Sequence, residues 1–296
     1  MSGPKLQSDR RLTAAIHGVD DTRRSRPVDI NQPDACAPAV TVHRICDWSK
    51  AKRILPLDRL MTLGILGGIY IGLGAALATL ITSDSTLGMG PTRWLGGISF
   101  SLGLLLVIVG GAELSTGNCL MTMARLRGEI CNCDLWRNWS VSFGANALGA
   151  LVLAWTIALS GINDVEPMRA NAIRIAETKL SLLPAQAFFR GVLANMLVCL
   201  AVWLAMSSQT VVGKFIGTAF PISAFVALGF EHSIANLYLI PVGLMAGATG
   251  NVADLLTNIV PVTAGNLLGG AIVAGGLLYR SHMQAHHSEC KREHDG

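Results

Sequence analysis

Charged residues are scarce in this sequence: Asp, Glu, Lys and Arg make up only 14% of 296 residues, against roughly a quarter in an ordinary soluble domain. That argues against a soluble fold. The net charge of +4 resides mostly in tails and turns, so no basic face for nucleic acid is expected. Chemical motifs are missing as well. There is no CxxC or HExxH spacing, no nucleophile elbow, no phosphate loop and no paired Asn-Pro-Ala, so no enzyme activity, metal or cofactor is expected. The seven cysteines, Cys36, Cys46, Cys119, Cys131, Cys133, Cys199 and Cys290, are odd in number and follow no paired framework, which excludes a complete set of internal disulfides. Cys131 and Cys133 with the tail histidines His282, His286, His287 and His294 lack metal-ligand spacing. The first 53 residues carry ten Lys or Arg and lack the continuous apolar run of a secretory signal.

Long apolar runs are what the sequence does have. Hydrophobic residues reach 51%, with 32 glycines, and they gather in stretches of about twenty, enough to cross a bilayer core of about 30 Å as helix. The expected fold is all-α and polytopic, with six spans at roughly 60–82, 94–125, 136–160, 186–207, 211–246 and 256–279. An even number of crossings puts both termini on one side. The N-terminal tail, the turns at 125–135 and 208–214 and the C-terminus hold about sixteen Lys or Arg, against Arg93, Arg169, Arg174 and Lys179 in the other loops. Both termini are therefore expected in the cytoplasm, with the protein in the inner (cytoplasmic) membrane. The domain reading is a disordered basic tail at 1–48, a six-span domain at 49–281 opening with a basic amphipathic stretch at the membrane surface, and a His-containing tail at 282–296.

Two spans are interrupted. Gly111-Ala-Glu-Leu-Ser-Thr-Gly-Asn118 sets an acid, glycines and hydrogen-bonding side chains inside span two, and Gly229-Phe-Glu-His-Ser-Ile-Ala-Asn236 does the same 118 residues later in span five. Asn146-Ala-Leu-Gly149 is echoed by Asn266-Leu-Leu-Gly269 at an offset of 120. Repeats of three helices must be inverted relative to each other, which predicts two inverted three-helix repeats whose broken second and fifth helices meet near the midplane. Broken backbone at that depth is tolerated only against protein or a water-filled path; the alternative is ordinary glycine kinks.

His232 is the only histidine within an expected span. It is read as a proton donor to a weak-acid anion at a constriction, the alternative being a neutral ring bonded to backbone. Glu113 and Glu231 are assigned a structural role, each carboxylate accepting hydrogen bonds from backbone freed by the opposite break. Lys179, in the loop before span four, would draw anions into an outer vestibule or else be a solvated lysine. Phe225 lies seven residues before His232, close to two helical turns, and could face the same path as an apolar gate. The span glycines are assigned to close helix packing.

These blocks, with Asn138-Trp139, Gly144-Ala-Asn146, Arg190-Gly-Val-Leu-Ala-Asn195, Val198-Cys-Leu-Ala-Val-Trp203 and Thr263-Ala-Gly-Asn266, closely resemble the signature blocks of the formate/nitrite transporter family over about residues 45–280. The resemblance implies an aquaporin-like protomer in a homopentamer, with one path per protomer for formate, nitrite or hydrosulfide. It implies that Glu113, Leu114, Thr116, Gly117 and Asn118 belong to a mobile loop, and that Glu231, His232, Ser233 and Asn236 form the second break with His232 central. Lys179 falls on the vestibule lysine and Phe225 on the constriction phenylalanine, while Asn195 and Asn266 support the breaks. One departure stands out: the family usually has Leu-Phe-Thr where this chain has Leu114-Ser115-Thr116, which puts a small hydroxyl at a constriction. Cys119 is placed beside the path as well.

The function expected is pH-dependent transport of a small weak-acid anion, formate first, then nitrite or hydrosulfide, across the lipid bilayer. Two other classes compete: a neutral-solute channel of aquaporin type, and a sensor or scaffold whose basic tail binds an enzyme or anionic lipid. Flux measured after deletion of residues 1–45 separates the last from transport.

Overall fold

The computed structural model describes residues 34–283; residues 1–33, most of the expected N-terminal tail, lie outside the described residues, as do His286, His287 and His294. Helix α1 (Pro38–Arg53) runs into α2 (Leu57–Ile81) and α3 (Met89–Gly110). A break leads through a 3-10 turn (Gly117–Met121) to the short α4 (Thr122–Leu126) and then α5 (Asn132–Leu159). The second half repeats this order: α6 (Met168–Leu180), α7 (Pro184–Ser207), α8 (Val211–Ala227), a break, α9 (Ser233–Ala246) and α10 (Val252–Leu267), which continues through a π-helical stretch (Leu268–Gly276) to Met283. Among the described residues five helices are long and apolar enough to cross a membrane, and α8 and α9 are shorter apolar helices. Among the described residues the fold is all-helical and has no β-strand beyond an isolated Ala35–Ser208 bridge.

Local sequence sets these limits. Cys131 and Asp134 cap α5 reciprocally: the Asp134 N–H donates to the Cys131 Sγ and the Cys131 N–H to the Asp134 carboxylate. Asn251 and Asp254 do the same for α10. Gly111 ends α3 in the left-handed region at φ 75°, and Gly247 ends α9 at φ 115°, conformations that only glycine adopts without strain.

Two expectations change. The basic amphipathic stretch begins at Pro38 rather than Ser49, inside the segment assigned to the tail, because Val42, Ile45, Cys46 and Ser49 form a buried face at three- and four-residue spacing. The loop expected at 161–184 holds α6. Met168, Ala172 and Ala176, four residues apart, are buried, and the last two press on Gly243 of α9. A face of one methionine and two alanines carries little hydrophobic signal, which hides this helix in the sequence.

The five long helices and α8 pack side by side in the order α5, α2, α3, α8, α7, α10, and α9 touches both α5 and α10. Glycines set the closest approaches. A Cβ on Gly149 would strike the Ile65 carbonyl, and one on Gly269 would strike the Val192 carbonyl. Gly149→Val is expected to force α2 and α5 apart and cost about 1–3 kcal/mol, the usual penalty of overpacking. The check is a lower thermal unfolding midpoint in detergent; an unchanged midpoint would mean that the interface yields.

Candidate functional site

Each break carries backbone groups that its own helices leave unsatisfied, and one asparagine takes an N–H and a C=O of each while tying it to a neighbouring helix. In the first break the Ser115 N–H donates to Asn146 Oδ1 at 2.9 Å, while Asn146 Nδ2 donates to Gly64 O and Glu113 O, both at 2.7 Å. In the second, the Ser233 N–H donates to Asn266 Oδ1 at 2.9 Å, and Asn266 Nδ2 donates to Gly191 O at 2.8 Å and Glu231 O at 3.0 Å. The turn itself recurs too: Ala112 N–H to Val107 O and Phe230 N–H to Phe225 O, then Glu113 N–H to Leu63 O and Glu231 N–H to Arg190 O. These backbone groups of the breaks are thus paired as membrane depth requires.

The carboxylates are held differently from the expectation. Glu113 accepts from Lys52 and from Asn118 Nδ2, and Glu231 accepts from Lys179 Nζ at 3.0 and 3.1 Å and from Asn236 Nδ2 at 2.6 Å. Neither takes backbone hydrogens from the opposite break. A carboxylate buried to about 3% exposure needs a counter-charge more than it needs amides. Asn118 and Asn236 each also donate to an asparagine one helix away, Asn138 and Asn258.

Lys52 is the functional residue missed by sequence reasoning. It sits in a basic stretch where each lysine reads as surface, yet only 7% of its side chain is exposed. A signal existed: Lys52 precedes Lys179 by 127 residues, as Gly64 precedes Gly191.

Two cavities approach the breaks. One of about 290 Å³ is lined by Trp48, Lys52, Leu104, Glu113 and Leu114; the other, about 750 Å³, by Lys179, Arg190, Phe225, Glu231 and His232. They lie toward opposite ends of α2: Lys52 belongs to the helix preceding its start, whereas Asn171 of α6 donates to Thr79 O at its end. Between the cavities stands a plug. Phe225 meets Phe100 edge to face at 5.4 Å between ring centroids, and Leu104 and Leu114 are buried beside it.

At the centre, Thr116 Oγ1 and His232 Nε2 are 2.9 Å apart, both buried. The Ala235 N–H donates to His232 Nδ1 at 3.2 Å, capping α9, so the other nitrogen carries the hydrogen and donates to Thr116. His232 and Phe225 do approach, with ring centroids 6.2 Å apart. The reason is the tight turn after Phe225, since no continuous helix joins them. Asn195 ties the breaks together, its Nδ2 donating to Thr116 O at 3.2 Å and Asn266 O at 2.7 Å. Gly117 lines the smaller cavity.

Ser115 and Cys119 are the corrections. Both were expected beside the constriction, yet both line a third cavity, together with Thr116, and neither lines the two Lys–Glu cavities. The Ser115 N–H is drawn to Asn146, and that turns its side chain away from Leu104 and Phe225.

Both the sequence and the fold have matches among known proteins. A model of the formate/nitrite transporter family matches residues 39–280. A probable formate transporter of Methanothermobacter thermautotrophicus is 38% identical over 267 residues, covering 84% of this chain and 97% of its own. A solved FNT family ion channel superposes with a TM-score of 0.76 at 25% identity, over 82% of this chain and 98% of that one. A pentameric formate channel with formate bound gives 0.68 at 31% identity, over 77% and 98%.

Proposed function

Because the chain belongs to the formate/nitrite transporter family, we propose that this multi-pass membrane protein passes formate as its first substrate, coupled to a proton, through a path in each protomer of a homopentamer. Nitrite and hydrosulfide are the alternatives within the family. The observation that carries the reading is the Thr116–His232 pair set in an apolar plug between two cavities that each hold a Lys–Glu pair.

The physics follows from desolvation. A bare anion entering an apolar passage loses its hydration, whereas the neutral acid is far less penalised. Lys52 and Lys179 face the cavities while bound to their glutamates, so an incoming anion competes with a carboxylate for the ammonium and is concentrated without being trapped. At the plug the anion accepts a hydrogen bond from His232 Nε2. Full proton donation requires the imidazolium, whose second proton on Nδ1 displaces the Ala235 cap. The acid then crosses Phe225 and releases its proton in the opposite cavity. Both termini in the cytoplasm, and an inner-membrane location, complete the proposal.

Flux of formate, nitrite and hydrosulfide into liposomes holding the purified protein, with and without a pH gradient, tests it. Formate uptake should speed up when the outside is more acidic. Passage of glycerol or water with no anion flux would replace this reading by the neutral-solute channel.

A further inference from the structure

The third cavity, about 320 Å³, opens between α5 and α10. It shares no lining residue with either Lys–Glu cavity, although Thr116 stands on its wall, and that wall is of another kind. Trp136, Trp139 and Phe143 supply aromatic faces, and no charged side chain lines it. Five hydroxyl residues do: Ser115, Thr116, Ser140, Ser233 and Thr263. Three of these, Ser115, Ser233 and Thr263, come one from each break and one from α10. None of the three oxygens has a hydrogen-bond partner in the protein, although Ser115 is 6% and Ser233 0% exposed. Asn195 Oδ1 and Asn236 Oδ1 near the breaks lack partners as well, but three orphaned hydroxyls gathered on one wall call for an explanation. Trp136, at the rim, is 59% exposed and gives access from the side.

We propose that this cavity binds a small uncharged amphiphile: an aromatic or aliphatic body against the tryptophans and Phe143, and a hydroxyl or carbonyl among the three hydroxyls. The volume lies at the small end of ligand pockets, which are mostly apolar with a few convergent polar groups. Charge is excluded by chemistry. An anion here would lose its hydration with only neutral hydroxyls in return. The aromatic faces favour a flat or branched carbon body in contact with the rings. The site shares Ser115 and Ser233 with the breaks, yet its existence depends on no assumption about the transported solute.

The test uses 4-bromobenzyl alcohol, whose bromine quenches tryptophan fluorescence at contact, added to the full-length protein in detergent. Quenching should saturate. Ser115→Ala and Ser233→Ala remove hydroxyls that bond nothing in the protein, so both variants should fold, and each should weaken binding about three- to tenfold, the effect of one neutral hydrogen bond. Thr263→Ile, which also fills space, should weaken it further. The carboxylate 4-bromobenzoate at neutral pH should not quench saturably. Quenching that rises linearly and equally in every variant would be partition into detergent and would overturn the site; so would binding of the benzoate as tight as the alcohol, or full affinity in both alanine variants.

Discussion

His232→Asn is expected to slow formate flux on the order of 100-fold, the scale of general acid catalysis, and to leave the remainder flat across pH. Asparagine is chosen because it separates chemistry from structure. Its side-chain oxygen caps a helix as well as any residue, so the Ala235 N–H that now donates to His232 Nδ1 keeps an acceptor. Its amide also offers a donor toward Thr116, but it binds no proton. Unfolding midpoint and oligomer size should match the parent while flux against pH loses its slope. An asparagine variant that still took up formate with undiminished proton coupling would remove His232 from the mechanism and leave the neutral ring, bonded to Thr116, as a structural element.

The second large effect concerns the asparagines that hold the breaks. Asn266→Leu preserves side-chain bulk but removes the acceptor of the Ser233 N–H and the donors to Gly191 O and Glu231 O. Asn266 is 2% exposed, so no solvent replaces them. Gly191 O keeps its helical hydrogen bond, but the Ser233 N–H and Glu231 O are orphaned. Each such group costs about 1–3 kcal/mol, and two of them amount to a large share of the roughly 5–15 kcal/mol by which proteins are stable. Asn146→Leu should do the same to the first break. The expected result is loss of folded protein during detergent purification, or a midpoint many degrees lower. A drop of only about 2–4 °C, the shift of a single kcal/mol in a domain of this size, would mean that the breaks find other partners.

Both breaks could be read from the sequence because an acid, a glycine and an asparagine inside an apolar run have no cheap helical explanation, and the pattern occurs twice. The all-helical class followed from run length alone. The partners of the two carboxylates could not be read. Lys52 belongs to a helix that is polar on average and shows its buried face only through Val42, Ile45 and Cys46, while α6 hides behind alanines. The internal repeat was partly masked as well. Its first helices are 127 residues apart, its breaks 118 and its last helices 120, so no single shift aligns the two halves, and the lysines fall out of register with the glutamates they bind. The orientation of Ser115 was beyond reach for a different reason: it depends on which side of a non-helical turn faces Asn146, and no periodicity governs that.

The pairing of polar groups also bears on how the chain enters the bilayer. Lys52, Glu113, Asn118, Asn138 and Asn146 satisfy one another and the first break within residues 34–159; Lys179, Glu231, Asn236, Asn258 and Asn266 do so after residue 168. Between the halves run fewer buried bonds at the breaks, among them the Thr116–His232 bond and the bond from Asn195 to Thr116 O, with Asn171 to Thr79 O farther out. During synthesis the leading half can therefore settle among lipids with its buried groups already matched, before the trailing half leaves the ribosome. The Thr116–His232 bond needs one residue from each half, so it forms only once the second break is in place.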